Sequence, residues 1–459
     1  MSAPSGVPSP EDIRRWDVEH VWHPFTQMAE YAAADPLVVV GAEGHELIDD
    51  HGRKLFDATS ALWCNLFGHR VPEIDAAVRS QLDRIAHTTL LGTTHPPAAE
   101  LARRLVEIAP AGLTHVFFSD NGATAVEAAL KIAFQYRLLT QGKEAADRTV
   151  YLSLENAYHG DTLGAAAVGG VALFHATFRP ILLPCLKVPA PDCYRCPVGQ
   201  TPGDCSIHRA EHVEEVLARE GGRVCAVILE PGIQAAAGMV VQPEGYLTRV
   251  AEACRRHGAL LILDEVATGF GRTGATFACQ HEGVTPDLLC VAKGLTGGYL
   301  PVAATLATEA VYQPFLGRYE EYRHFFHGHT YTGNPLGCAA ALATLALLRD
   351  GSIVAGVERK AHVLREALEP VARHRHVGEV RQLGLMCGVE LVADRTTKAR
   401  FPPADRVGYR LCLALRDRGI FIRPLGDVIV LMLPLTVTDD ELQYLAKSLH
   451  AALVERFGD

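Results

Sequence analysis

The chain has no apolar run near the roughly 18 residues that a membrane span requires, so no membrane partner is expected. It has no block of lysine and arginine, and its formal net charge is −10, so nothing points to nucleic acid. Twelve cysteines in 459 residues are too sparse for a disulfide scaffold. Most of them, such as Cys225 and Cys290, sit alone among apolar neighbours and read as small core residues. The start, Met1 to Pro10, has neither the basic residue nor the apolar stretch of an export signal, so a cytoplasmic location is expected. No G-x-G-x-x-G and no G-x-x-x-x-G-K-[ST] occurs, so dinucleotide and P-loop sites lack their fingerprints. There is no internal repeat and no low-complexity segment.

What is present is the composition of a globular protein, 48% hydrophobic and 21% charged. Leu37 to Asp57 alternates short apolar runs with Gly and Asp, which predicts hairpin strands. Strands are predicted at His115–Ser119, Thr149–Leu154, Val224–Glu230, Ala259–Glu265, Leu288–Ala292 and Val302–Ala307. Most are unbroken apolar runs, as strands buried on both faces of a parallel sheet are. Helices are predicted at Ala98–Ile108, before the first of these, and at Ala123–Leu138 and Tyr246–His257, between later ones. The fold class that follows is α/β, a large domain with a mainly parallel sheet and a smaller α+β domain. The boundaries are set at 1–70 for an N-terminal segment packing on the small domain, 71–335 for the large domain and 336–459 for the small one. The last helix, Asp440 to Phe457, is amphipathic, with Asp439 or Thr438 as its cap.

Four places can carry chemistry. Lys293 follows the run Leu288-Leu289-Cys290-Val291-Ala292; an amine desolvated there loses basicity and becomes a nucleophile. Asp264 ends Leu260-Leu261-Ile262-Leu263, at the strand end where α/β sheets bind ligands, and a buried aspartate wants a cationic partner. Asp120-Asn121-Gly122-Ala123-Thr124 joins a strand to a helix and offers free amides to an anion. Asn156-Ala157-Tyr158-His159-Gly160-Asp161-Thr162 brings an aromatic ring that can stack on a flat cofactor. Each also has an ordinary explanation: a strand-end lysine reaching water, a turn aspartate, a common strand-to-helix turn, a tyrosine packed under a loop. Together they fit an aldehyde cofactor with a phosphate and a pyridine ring.

At this point a resemblance emerges. Leu263-Asp264-Glu265-Val266-Ala267-Thr268-Gly269-Phe270-Gly271-Arg272-Thr273-Gly274, with Lys293 downstream, resembles the signature of class III aminotransferases that depend on pyridoxal 5'-phosphate (PLP). The likeness covers nearly the whole chain. It extends to Trp22-His23-Pro24-Phe25-Thr26-Gln27-Met28, Ser119 to Lys131, His327-Gly328-His329-Thr330-Tyr331-Thr332-Gly333-Asn334-Pro335 and Ile422-Arg423-Pro424-Leu425-Gly426. The resemblance implies fold type I, a homodimer sharing its active sites, and a reaction in biotin synthesis. That reaction moves an amino group to 8-amino-7-oxononanoate, giving 7,8-diaminononanoate, with S-adenosylmethionine or lysine as donor.

It also implies residue roles. Lys293 would attach the cofactor and move protons, Asp264 would hold the ring nitrogen's proton, and Tyr158 would line the pocket. Gly122 and Ala123 would hold the phosphate, joined by His329 and Thr330 from the partner subunit. Phe25, Leu62, Trp63 and Gly328 would contact substrate, and Arg423 would pair with its carboxylate. Two departures stand out. Leu62-Trp63 replaces a pair of tryptophans frequent in related enzymes, and Phe25 stands where some members have Tyr. Leu62 keeps open a second reading, an ω-amino acid or diamine aminotransferase using a 2-oxo acid. A third is a non-catalytic binding protein with zinc held by Cys193, Cys196, Cys205 and His208. The spacing of that cluster is short for a zinc finger, and no metal is expected there.

Overall fold

The computed structural model describes residues 8–34, 36–142, 147–196 and 206–459, with only the backbone for 206–209. Cys205 and the His208 side chain therefore lie outside the described residues. The first three strands, β1 (Val39–Glu43), β2 (Glu46–Asp49) and β3 (Lys54–Asp57), form an antiparallel meander. Next come β4 (Leu113–Ser119), β5 (Val150–Leu154), β6 (Cys185–Val188), β7 (Val224–Leu229), β8 (Ile233–Gln234) and β9 (Val240–Val241). They are followed by β10 (Leu260–Asp264), β11 (Leu288–Val291) and β12 (Ala303–Thr308). The chain closes with β13 (Val377–Leu383), β14 (Met386–Leu391), β15 (Ile420–Phe421), β16 (Pro424–Leu425) and β17 (Val428–Met432).

Among the described residues, seven strands make the central sheet, in the order β4-β12-β11-β10-β7-β5-β6. The expected α/β class is found, with the sheet parallel except at one strand. The strand expected at Val302–Ala307 runs antiparallel to both its neighbours, β11 and β4. The cause is the connection. Parallel neighbours need a crossover, usually a helix, whereas β11 and β12 are joined by a loop whose one helical piece is the turn Lys293–Thr296. Burial on both faces explains the unbroken apolar runs. Leu261 and Leu263 of β10 enter one hydrophobic cluster, while Leu260 and Ile262 enter another on the opposite face.

The two ends of the chain meet. β3 pairs in parallel with β15, placing Phe56 against Ile420. The Ala58 amide donates to Phe421 O (3.0 Å), and the Met432 amide donates back to Ala58 O (3.0 Å). β13, β14, β17 and β16 form a separate antiparallel sheet. The final helix, Asp439–Phe457, is capped by Thr438, whose hydroxyl accepts from the Glu441 amide. No single helix among the described residues is long and apolar enough to cross a membrane.

Candidate active site

A cavity of about 760 Å³ opens at the C-terminal ends of the parallel strands. Leu62, Trp63, Gly122, Ala123, Tyr158, Asp264 and Lys293 all line it. Asp264 is the last residue of β10, and its burial is complete enough to need partners. Its Oδ2 lies 2.7 Å from His159 Nδ1, and its Oδ1 accepts the Val266 amide at 3.0 Å. Lys293 follows β11 with φ of +25°, a conformation rare for a side chain larger than glycine. Desolvation is the main cause that depresses its basicity. Asp264, Cys64 and Glu230 oppose that shift, and the Arg272 guanidinium adds to it.

The anion cradle is the turn after β4. Asn121 caps the helix Gly122–Gln141, its side chain accepting from the Thr124 amide, while Thr124 Oγ1 accepts from the Asn121 amide. The cap leaves the Gly122 and Ala123 amides facing the cavity with no acceptor among the described residues. Glycine is required at 122, because a Cβ there would lie 2.6 Å from Val266 Cγ1. Tyr158 forms another wall. Its hydroxyl donates to Asp161 Oδ2 (2.7 Å), and burial followed by Asp161 pushes its phenol well above the usual range. Its ring lies parallel to His175 and edge-on to Phe174.

The wall bearing Leu62 and Trp63 is built from strained backbone. Ser60, Ala61 and Trp63 all have positive φ, between 49° and 70°. Two groups hold it. Asp57 accepts from Thr59 N, Thr59 Oγ1 and Ala61 N. Arg272, buried with no carboxylate within ion-pair distance among the described residues, donates instead to carbonyls. These are Asn65 O (2.6 Å), Trp63 O (3.3 Å) and Leu433 O. Desolvation pushes its guanidinium down to about 10. Lys293 Nζ then sits 5.6 Å from the Trp63 ring centroid.

Other expected residues lie elsewhere. Phe25 and Arg423 line a second cavity of about 1150 Å³. Phe174 spans the gap, touching Phe25 edge-on (5.2 Å) and Tyr158 (6.1 Å). Gly328, His329 and Thr330 line neither cavity, but His329 Nδ1 lies 2.8 Å from Asp120 Oδ2 beside the cradle. Among the described residues no group of His, Cys, Asp or Glu is arranged to hold a metal. Sequence reasoning gave no role to Arg272, Glu230, Phe174 or His175. Glu230 carries the same signal as Asp264, an apolar strand ending in a carboxylate.

The residues present fit PLP. The cavity combines an amine of depressed basicity, a buried aspartate, an aromatic wall and two unsatisfied amides. His159 Nε2 and Thr162 Oγ1 are buried there without partners. A PLP-dependent transferase of fold type I is the class that this fold and site define. The class-III aminotransferase family profile matches residues 28–453, and the chain belongs to that family. PLP is its cofactor. The chain is 50% identical to the adenosylmethionine-8-amino-7-oxononanoate aminotransferase of Geobacter sulfurreducens, over 96% of this chain and 97% of that one. It is equally similar, at 50%, to the protein of the same name from Nitratidesulfovibrio vulgaris, over 96% of this chain and 81% of that one. The crystal structure of the Methanocaldococcus jannaschii protein of that name superposes with a TM-score of 0.92 at 43% identity, covering 97% of this chain and 99% of that one. A PLP-bound amine transaminase from an uncultivated Pseudomonas species gives 0.91 at 37%, covering 95% and 98%.

Proposed function

We propose that this enzyme transfers an amino group to 8-amino-7-oxononanoate, forming 7,8-diaminononanoate, with S-adenosylmethionine as donor and lysine as the rival. The observation that carries the reading is the match over most of their length to several relatives of one name, joined to the meeting of Gly122, Ala123, Tyr158, Asp264 and Lys293 around one cavity. Bound PLP supplies an aldehyde that captures amines and a ring that accepts electrons. The Lys293 amine would hold the cofactor and would serve as the base that takes the proton from the amino-bearing carbon and as the acid that gives it back. Asp264, steadied by His159, holds the proton of the ring nitrogen. The Gly122 and Ala123 amides bind the phosphate. Tyr158, Leu62 and Trp63 wall the cavity around the reacting carbon.

Arg423 takes the carboxylate at the far end of the acceptor. No ion pair among the described residues engages it, and it lines the second cavity, one aromatic ring beyond Tyr158. A guanidinium in a cavity next to that of Lys293 suits a substrate whose amine and carboxylate lie apart. A homodimer is part of the reading. His329 sits beside the chain's own cradle, against Asp120, without entering the cavity, and large side chains such as Leu91 (89% exposed) and Tyr331 (64%) are uncovered. A second copy would supply His329 and Thr330 to the phosphate and Gly328 to substrate. Core thiols such as Cys225, Cys290 and Cys387 are unpaired, which suits the reducing cytoplasm.

The test mixes purified PLP-form enzyme with 7,8-diaminononanoate and follows the cofactor absorbance. Rapid loss of the band, with an amino-oxononanoate appearing, supports the reading. An unchanged band that bleaches with other ω-amines overturns it in favour of an ω-amine aminotransferase, the reading that Leu62 keeps open.

A further inference from the structure

Two buried carboxyls line the cofactor cavity, and the mechanism above uses only Asp264. The other is Glu230, directly after β7 and 5% exposed. Its Oε2 accepts the Tyr158 amide at 3.2 Å and its Oε1 accepts the Ala235 amide at 3.1 Å. No cation lies within ion-pair distance of it among the described residues. The two amides favour a negative charge there, but burial without a cationic partner opposes it.

The charged groups that act on it are few. Asp264, at the end of β10, repels a second anion, and Lys293, after β11, favours one. Lys293 is the group committed to cofactor and substrate, so its charge is not at Glu230's disposal. Burial first, and Asp264 second, push the Glu230 carboxyl up to about 8 against the pull of the two amides and Lys293.

We propose that Glu230 is a positioning residue held in its neutral acid form, fixing the Tyr158 main chain and leaving Asp264, among the described residues, as the only buried carboxylate that faces the cavity. The charge state matters because a second anion would strengthen the hold of Lys293 on its proton and blunt it as a nucleophile. It would also compete with Asp264 for the ring's proton. As a neutral acid, Glu230 keeps both amide contacts and adds an O–H donor inside the cavity. The inference rests on the cavity being the cofactor site and is indifferent to which amine or oxo acid reacts there.

The test uses holoenzyme without substrate, so a wrong choice of acceptor leaves it unaffected. The infrared difference between wild type and Glu230→Gln at pH 7 should show the carbonyl band of a protonated carboxyl, lost in the variant. A difference confined to carboxylate bands overturns the proposal. Thermal stability against pH supplies a second readout. A carboxyl raised from 4.5 to about 8 makes the native state lose stability as pH climbs between those values, and not beyond them. Glu230→Gln lacks that loss, so its Tm should gain on wild type up to about pH 8 and then stay at a constant distance. Parallel profiles across that range overturn the proposal.

Discussion

Adding one methyl at Gly122 tests the phosphate cradle. The methyl of Gly122→Ala would lie 2.6 Å from Val266 Cγ1 and 3.0 Å from Cγ2, against at least 3.4 Å for ordinary contact. With Val266 held in place, the backbone withdraws by about 0.8 Å, the difference between 3.4 and 2.6. A shift of that size takes an amide from about 2.9 Å to a phosphate oxygen out to about 3.7 Å, beyond hydrogen-bonding range. A hydrogen bond to a charged group is worth about 1.5–3 kcal/mol, so losing one should weaken cofactor binding roughly 10- to 150-fold. Overpacking alone costs about 1–3 kcal/mol of stability. The assay titrates apoprotein with PLP and follows the cofactor absorbance. Val266→Ala removes both offending methyls, so Gly122→Ala/Val266→Ala should recover most of the lost affinity relative to Val266→Ala alone. A dissociation constant within threefold of wild type for Gly122→Ala, in protein that shows the expected drop in stability, would refute the cradle.

Lys293→Ala should lower turnover by at least about 10³-fold, measured with any competent amine; appreciable residual turnover would remove Lys293 from its role. Arg423→Ala should raise the KM for the oxo acid roughly 10- to 150-fold and leave the half-reaction with a short amine unchanged, with Arg423→Lys between the two. Arg272→Met should destabilise the protein by about 3–6 kcal/mol, because three carbonyls lose their donor, and denaturant unfolding would measure it. Metal analysis of purified protein should find zinc near zero per chain; one zinc per chain would give the Cys193–Cys196 region a metal after all.

What could be read from the residues follows a pattern. Asp264 and Lys293 were visible because a charge at the end of an apolar strand is costly and so informative. Glu230 sends the same signal, yet the Pro231-Gly232 that follows it gives the segment the look of a turn. The direction of β12 was not legible, since composition reports burial and says nothing of which way a strand runs. Arg272 lies inside a quoted motif, but its partners are main-chain carbonyls, which leave no trace in side-chain spacing. Positive φ at Ser60, Ala61 and Trp63 was equally hidden, because glycine is the only residue that advertises such a backbone. Phe174 sits in a stretch without periodicity, and only the three-dimensional path puts it between Phe25 and Tyr158.

The fastening of residues 56–66 to the far end of the chain has a consequence for biosynthesis. Ala58 is held by Phe421 and Met432, the Leu435 amide donates to Leu66 O, and Arg272 joins Trp63 and Asn65 to Leu433. On the ribosome the segment bearing Leu62 and Trp63 is made early and waits for more than three hundred residues before its supports emerge. The central sheet can form in the meantime, since its strands lie between Leu113 and Thr308. A nascent chain should therefore acquire a folded sheet well before it acquires a finished cofactor cavity. Binding of the cofactor becomes, in effect, a report that translation has run past Leu435.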